Sequence, residues 1–128
     1  LGKLQEGKDI LLNGKKIKSK NVTYLEKGRK VTFILDTLPN ENTIRIAKDS
    51  DILVCESSFS QKDKELAKEH LHLTTEDAAL IAKKAKVKKL ILTHVSQRYE
   101  HDISPLLKEA RRIFKGTTFA KDFDIVEL

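Results

Sequence analysis

The sequence contains no methionine and no tryptophan, a single cysteine, and only two prolines and five glycines in 128 residues. One cysteine, Cys55, excludes an internal disulfide framework and suits a reducing compartment. No apolar run approaches the roughly 20 residues that span a bilayer, and no charged-then-apolar leader opens the chain, so no membrane partner and a cytoplasmic location are expected. There is no Pro/Gly/Ser linker, repeat or low-complexity tract, which leaves a single domain over 1–128 as the expectation. The opening Leu1-Gly2-Lys3-Leu4-Gln5-Glu6-Gly7 reads as the middle of a longer sequence.

What is abundant is charge: 25 Lys and Arg against 19 Asp and Glu give a formal net charge of +6. The pI near 9.4 favours phosphate-rich partners over acidic or neutral ones. Lysines spread over the whole chain are also what a merely solvated surface looks like.

The first third reads as strands. Asp9 to Leu12 and Lys15 to Lys18 flank Asn13-Gly14, a dipeptide that tolerates positive φ and closes a tight hairpin. Val22 to Leu25 and Val31 to Leu35 predict a second hairpin, its second strand apolar or β-branched throughout, as an interior strand would be. The pattern then alternates. A helix capped by Asn40 carries Ile44 and Ala47 inward. Ile52 to Cys55 reads as a buried strand, with Cys55 a small buried hydrophobe. Ser60 to Glu69 predicts a polar helix. Ala78, Ile81, Ala82 and Ala85 recur at helical spacing behind the cap and acidic first turn of Thr74-Thr75-Glu76-Asp77. Leu90 to Thr93 is the next strand, a last helix is announced by Ser104 as cap with Pro105 at its first position and stops at Gly116, and Phe123 to Leu128 predicts a closing strand.

Three of these strands end in residues that carry chemistry: Val31 to Leu35 delivers Asp36, Ile52 to Cys55 delivers Glu56, and Leu90 to Thr93 delivers His94. Ligands of α/β sheets bind at the carboxyl ends of the strands, so these groups converge on one rim if the strands run in one direction. His72, just before the Thr-capped helix, lies in the connection that can reach the same rim. Singly, each has an ordinary reading: Asp36 as a turn or cap residue, Glu56 as a solvated acid, His94 as a surface or core histidine.

Taken together, four stretches in order resemble one family. Leu35-Asp36-Thr37, then Asp51 to Phe59 (DILVCESSF), then His72 to Ala79 (HLTTEDAA), then Leu92 to Tyr99 (LTHVSQRY) are similar to the late motifs of ribonuclease Z, a zinc-dependent endoribonuclease of the metallo-β-lactamase fold. Gly2-Lys3-Leu4 with Gly7 resembles the segment after that family's tRNA-binding arm. Cys55 stands where the family often carries His.

The resemblance implies an α/β fold, the C-terminal half of an αββα sandwich whose N-terminal half is absent from these residues and would be a partner. It implies removal of the 3′ trailer of precursor tRNA and a homodimer. It makes Asp36 the carboxylate bridging two zinc ions and His94 a ligand of one of them; a metal pair lowers the pKa of water toward about 7 and so supplies hydroxide for attack on a phosphodiester. Glu56 and His72 resemble the pair that protonates the leaving oxygen, and Ser96 and Arg98 the contacts to substrate phosphate, onto which a guanidinium forks. Tyr99 is expected to pack. The family's His-x-His-x-Asp-His cluster is not in this sequence, so the isolated 128 residues are expected to bind metal weakly and lack nuclease activity. Two other readings stay open: another metallo-β-lactamase-fold hydrolase of a phosphodiester or ester, and a noncatalytic basic α/β module that binds RNA or a protein.

Overall fold

The computed structural model describes residues 2–128. Two short helical turns and a hairpin come first: α1 (Gly2–Gln5), β1 (Ile10–Leu12), β2 (Lys15–Ile17) and α2 (Ser19–Val22). The hairpin is antiparallel, with Leu12 opposite Lys15. Asn13 and Gly14 both take the positive φ that such a turn requires.

The main unit is a four-stranded parallel sheet in the order β3 (Val31–Ile34), β4 (Ile52–Glu56), β5 (Lys89–Thr93), β6 (Thr117–Phe119). Parallel neighbours need a long crossover, and the crossovers here are helical. They are α3 (Glu41–Ala47), then α4 (Lys64–Glu69) with α5 (Thr75–Ala85), then α6 (Ser104–Ile113). The core forms where α3, α5 and α6 meet the sheet. Leu53, Leu90 and Leu92 from the strands are fully buried with Leu73, Ala78, Ala82 and Ala110. Each such leucine contributes roughly 1.5–3 kcal/mol by leaving water. Cys55 is buried among them, and burial pushes its thiol ionisation far above the ordinary range.

Local signals explain the best-formed helix. Thr74 accepts a hydrogen bond from the Asp77 backbone N–H, while Asp77 accepts from that of Thr74. Two otherwise unpaired donors are thereby satisfied. Asn40 caps α3 by accepting from Thr43 N, as its side-chain chemistry predicts.

Four expectations are corrected. The hairpin between Val22–Leu25 and Val31–Leu35 does not form. Val22 ends α2, where Ser19 N donates to Asp9 Oδ1, and Tyr24 and Leu25 are exposed with nothing to pair against. Val31–Ile34 pairs in parallel with β4 instead, and among the described strands it is an edge rather than an interior strand. Thr32 and Ile34 face inward, while Val31 and Phe33 are exposed.

The helix expected over Ser60–Glu69 is a 3₁₀ turn, Gln61–Asp63, followed by α4, because Ser60 Oγ accepts from Lys62 N and tightens the start. Ser104 begins α6 but does not cap it; Asp102 Oδ1 accepts its N–H at 2.9 Å. Those hydrogen bonds from Ser104 hold the Asp102 carboxyl below the usual range. Finally, Phe123–Leu128 is not a strand. The sheet edge beside β5 is already taken by Thr117–Phe119, and Phe123 and Ile125 are exposed.

Candidate active site

Because β3, β4 and β5 run in parallel, their carboxyl ends share one rim. Asp36 follows β3, Glu56 is the last residue of β4, and His94 follows β5. At both Asp36 (φ 44°) and His94 (φ 55°) the backbone turns into the left-handed region. That conformation costs a non-glycine residue about 1–2 kcal/mol, and Asp and His tolerate it better than most. Two strands thus end on the same uncommon turn, one bearing a carboxylate and the other an imidazole. Asp36 Oδ1 lies 3.0 Å from His94 Nδ1.

His72 arrives from the connection between α4 and α5, which a parallel bridge between Phe59 and Thr74 fastens to the end of β4. Its Nδ1 lies 3.2 Å from Glu56 Oε1 and 3.9 Å from Asp36 Oδ1. The two imidazoles meet edge to face, with ring centroids 5.1 Å apart.

Glu56 is completely buried. A carboxyl group is tolerated there only if its oxygens find donors, and three are present. Thr37 N donates to Oε1 at 2.9 Å, Ser58 Oγ lies 3.0 Å from Oε2, and His72 completes the set. Ser58 also lies 2.9 Å from the carbonyl oxygen of His94 and 3.4 Å from its Nδ1. One serine hydroxyl thereby ties the end of β4 to the end of β5.

Outside this cluster an open cleft of about 350 Å³ is lined by His70, His72, His94, Ser96 and Arg98 over Phe59. The Arg98 guanidinium stands 5.4 Å from the Phe59 ring centroid, within cation–π range, and His70 stacks on the same ring at 6.0 Å. Tyr99 is buried. Its hydroxyl accepts from Ser60 N at 3.1 Å and donates to Asp63. Burial, then the Asp63 contact, pushes its ionisation upward, so it remains a packed hydroxyl, as the sequence reading expects.

All six residues singled out in the sequence, Asp36, Glu56, His72, His94, Ser96 and Arg98, therefore lie along one border. Sequence reasoning missed two features. Ser58 stood inside a quoted motif, yet nothing in the letters shows that its hydroxyl joins two strands. The structure also groups His72 with Asp36 and His94: one ligand atom from each falls within 4.8 Å of the others. One carboxylate oxygen and two imidazole nitrogens are donors that suit Zn²⁺, so the residues fit a metal site. With Nδ1 of His72 against Glu56, Nε2 is its remaining nitrogen, available either to a metal or to a proton.

No protein-family model matches the chain. Its sequence is 42% identical to ribonuclease Z of Archaeoglobus fulgidus over 98% of the chain and 42% of that protein. It is 43% identical to ribonuclease Z of Leuconostoc mesenteroides over 99% of the chain and 42% of that protein. Among solved structures, the short form of human tRNase Z superposes with a TM-score of 0.61 at 27% identity, covering 88% of this chain and 36% of that one. A metallo-β-lactamase-fold protein of Bacillus subtilis superposes with a TM-score of 0.64 at 29% identity, covering 71% of this chain and 36% of that one. The chain spans about two fifths of the length of the curated relatives it matches. Along nearly its whole length the chain is a homologue of part of ribonuclease Z, and its parallel sheet is that of a metallo-β-lactamase-fold protein.

Proposed function

We propose that this chain contributes one border of the active site of a zinc-dependent endoribonuclease that removes the 3′ trailer of precursor tRNA. The observation that carries the reading is the convergence of Asp36, Glu56, His72 and His94 on the carboxyl rim of the sheet. Relatives named ribonuclease Z at about two fifths identity support it.

In this reading Asp36 and His94 hold metal. Zinc, when bound, supplies Lewis acidity, letting water ionise near neutral pH and drawing charge from a phosphoryl oxygen. Glu56 fixes His72 through Nδ1, so that its other nitrogen meets the leaving ribose oxygen and gives it a proton. Ser96 and Arg98 hold the non-bridging oxygens of the phosphodiester, Arg98 by a two-pronged hydrogen bond. Two donors do not complete two tetrahedral zinc sites. The remaining donors belong to the rest of such an enzyme, whose two sheets pack face to face; the exposed Val31, Phe33 and Leu35 suit that contact. A homodimer and a cytoplasmic location follow from the same family reading.

The test is His94→Ala in the full-length protein, with bound zinc and precursor-tRNA cleavage measured together. The expected outcome is loss of at least one zinc equivalent and a fall in kcat of about 10³-fold. A wild-type protein that neither binds zinc nor cleaves, and whose RNA affinity is unchanged by His94→Ala, would sink the nuclease reading and leave the noncatalytic basic RNA-binding module.

A further inference from the structure

A second cavity, of about 480 Å³, opens behind the cleft, with Lys62, Arg98 and Arg112 on its walls and Tyr99, Pro105 and Leu106 among its apolar lining. Arg98 lines both spaces, so the guanidinium assigned to the substrate phosphate is also the partition between them. Among the described residues, none of these three cations takes part in an ion pair. The neighbouring Arg111 differs, since its Nε donates to Thr117 O at 2.9 Å.

Two acids border the same cavity, and both are already engaged. Glu109 accepts from Ser60 Oγ and Gln61 N, each at 3.1 Å, and from the Thr75 hydroxyl. Asp102 accepts from Ser104 N. His101 also lines the cavity, and its Nε2 is 3.7 Å from Glu100 Oε1. The hydrogen bonds to Glu109 fasten α6 to the segment after β4, which makes the cavity wall a fixed surface carrying free positive charge.

We infer that this cavity is a backbone-binding subsite for RNA, in which Lys62 and Arg112 take phosphates of the strand that continues past Arg98 from the cleft. The inference rests on the nuclease reading above. A polynucleotide repeats its charge along one line, and cations placed at intervals beside a reactive phosphate hold that line in register. The apolar wall gives a ribose or base a surface to pack on while the charged ends meet phosphate oxygens. Neither residue touches the reacting atoms, so their contribution is to affinity and register rather than to the chemical step.

The experiment compares three forms of the full-length protein: wild type, Lys62→Ala/Arg112→Ala, and Lys83→Ala/Lys84→Ala. The last removes the same charge from exposed positions late in α5. Binding of labelled precursor tRNA is followed by anisotropy in EDTA across a salt series, and steady-state cleavage is measured with zinc. For Lys62→Ala/Arg112→Ala, the slope of log Kd against log salt should fall by about 1.5. KM should rise about tenfold with kcat within about twofold, and Lys62→Arg/Arg112→Lys should restore both. The Lys83→Ala/Lys84→Ala slope should stay near wild type. Equal slopes in the two alanine pairs, or a loss confined to kcat, overturns the subsite. Failure of the nuclease reading itself would show separately, as a wild-type protein that binds the RNA and does not cut it.

Discussion

The two ends of one sheet carry acidic residues in opposite circumstances. At the amino end, Asp51 precedes β4 and is closed by cations: Lys88 Nζ at 2.6 Å, Arg29 at 4.0 Å, and the N–H of Lys30 at 2.8 Å. The Lys88 hydrogen bond, then that of Lys30, holds its carboxyl down to about 2. At the carboxyl end, Asp36 and Glu56 meet imidazoles instead. An ammonium keeps its charge across the physiological range and completes a contact, whereas an imidazole exchanges protons and retains a second nitrogen. The first rim is closed by cations, and the second is the one proposed to take in ligands.

The sharpest way to break this contrast is at Glu56. Glu56→Ala leaves the Thr37 N–H, Ser58 and His72 without their shared acceptor. A buried unmet donor costs about 1–3 kcal/mol, and a lost support behind an imidazole costs about 10–100-fold in activity or metal affinity. Both urea denaturation and precursor-tRNA cleavage should register the change. If stability falls and kcat does not, Glu56 is a packing residue and the carboxyl rim is no different in kind from the amino rim.

A smaller effect is expected at Thr74, whose cap starts the helix behind His72. Thr74→Ala should lower stability by about 1 kcal/mol in urea denaturation, with KM unchanged. The smallest is at Asp51. Its folded value, about 2, lies below the ordinary 3.8, so its contribution is fully present above about pH 4 and is lost as pH falls toward 2. Stability measured from pH 5 to pH 2 should therefore drop more steeply in wild type than in Asp51→Asn, while kcat at neutral pH stays the same. An Asp51→Asn protein that loses activity but not acid sensitivity would reverse the roles assigned to the two rims.

Residues whose instructions are local were readable in advance. The cap and first-turn acids at Thr74–Asp77, the Asn-Gly turn and the apolar run of β4 each act within a few positions, and the structure has them where the letters put them. The direction of the strands stood in the sequence only as a condition for a shared rim, and the parallel pairing of β3, β4 and β5 meets it. What escaped were matters of partnership. Val31–Ile34 announces an extended backbone but not which strand lies beside it, and β4, its partner, is about 20 positions away. Phe123–Leu128 has strand-like letters, yet the place beside β5 goes to Thr117–Phe119. Ser58 gains its importance from Glu56 and His94, which no spacing in the sequence relates to it. The left-handed turns at Asp36 and His94 likewise have no glycine to advertise them.

Those two turns set evolution and engineering at cross purposes. Glycine at either position would relax the main chain and delete the side chain in the same stroke, so a screen that rewards thermal resistance alone will drift toward replacing the very side chains proposed to hold metal. Asn13, Asp49, Leu71, Lys86 and Phe123 take the same backbone conformation elsewhere on the surface, so a tense main chain marks such a position only where it coincides with a shared rim.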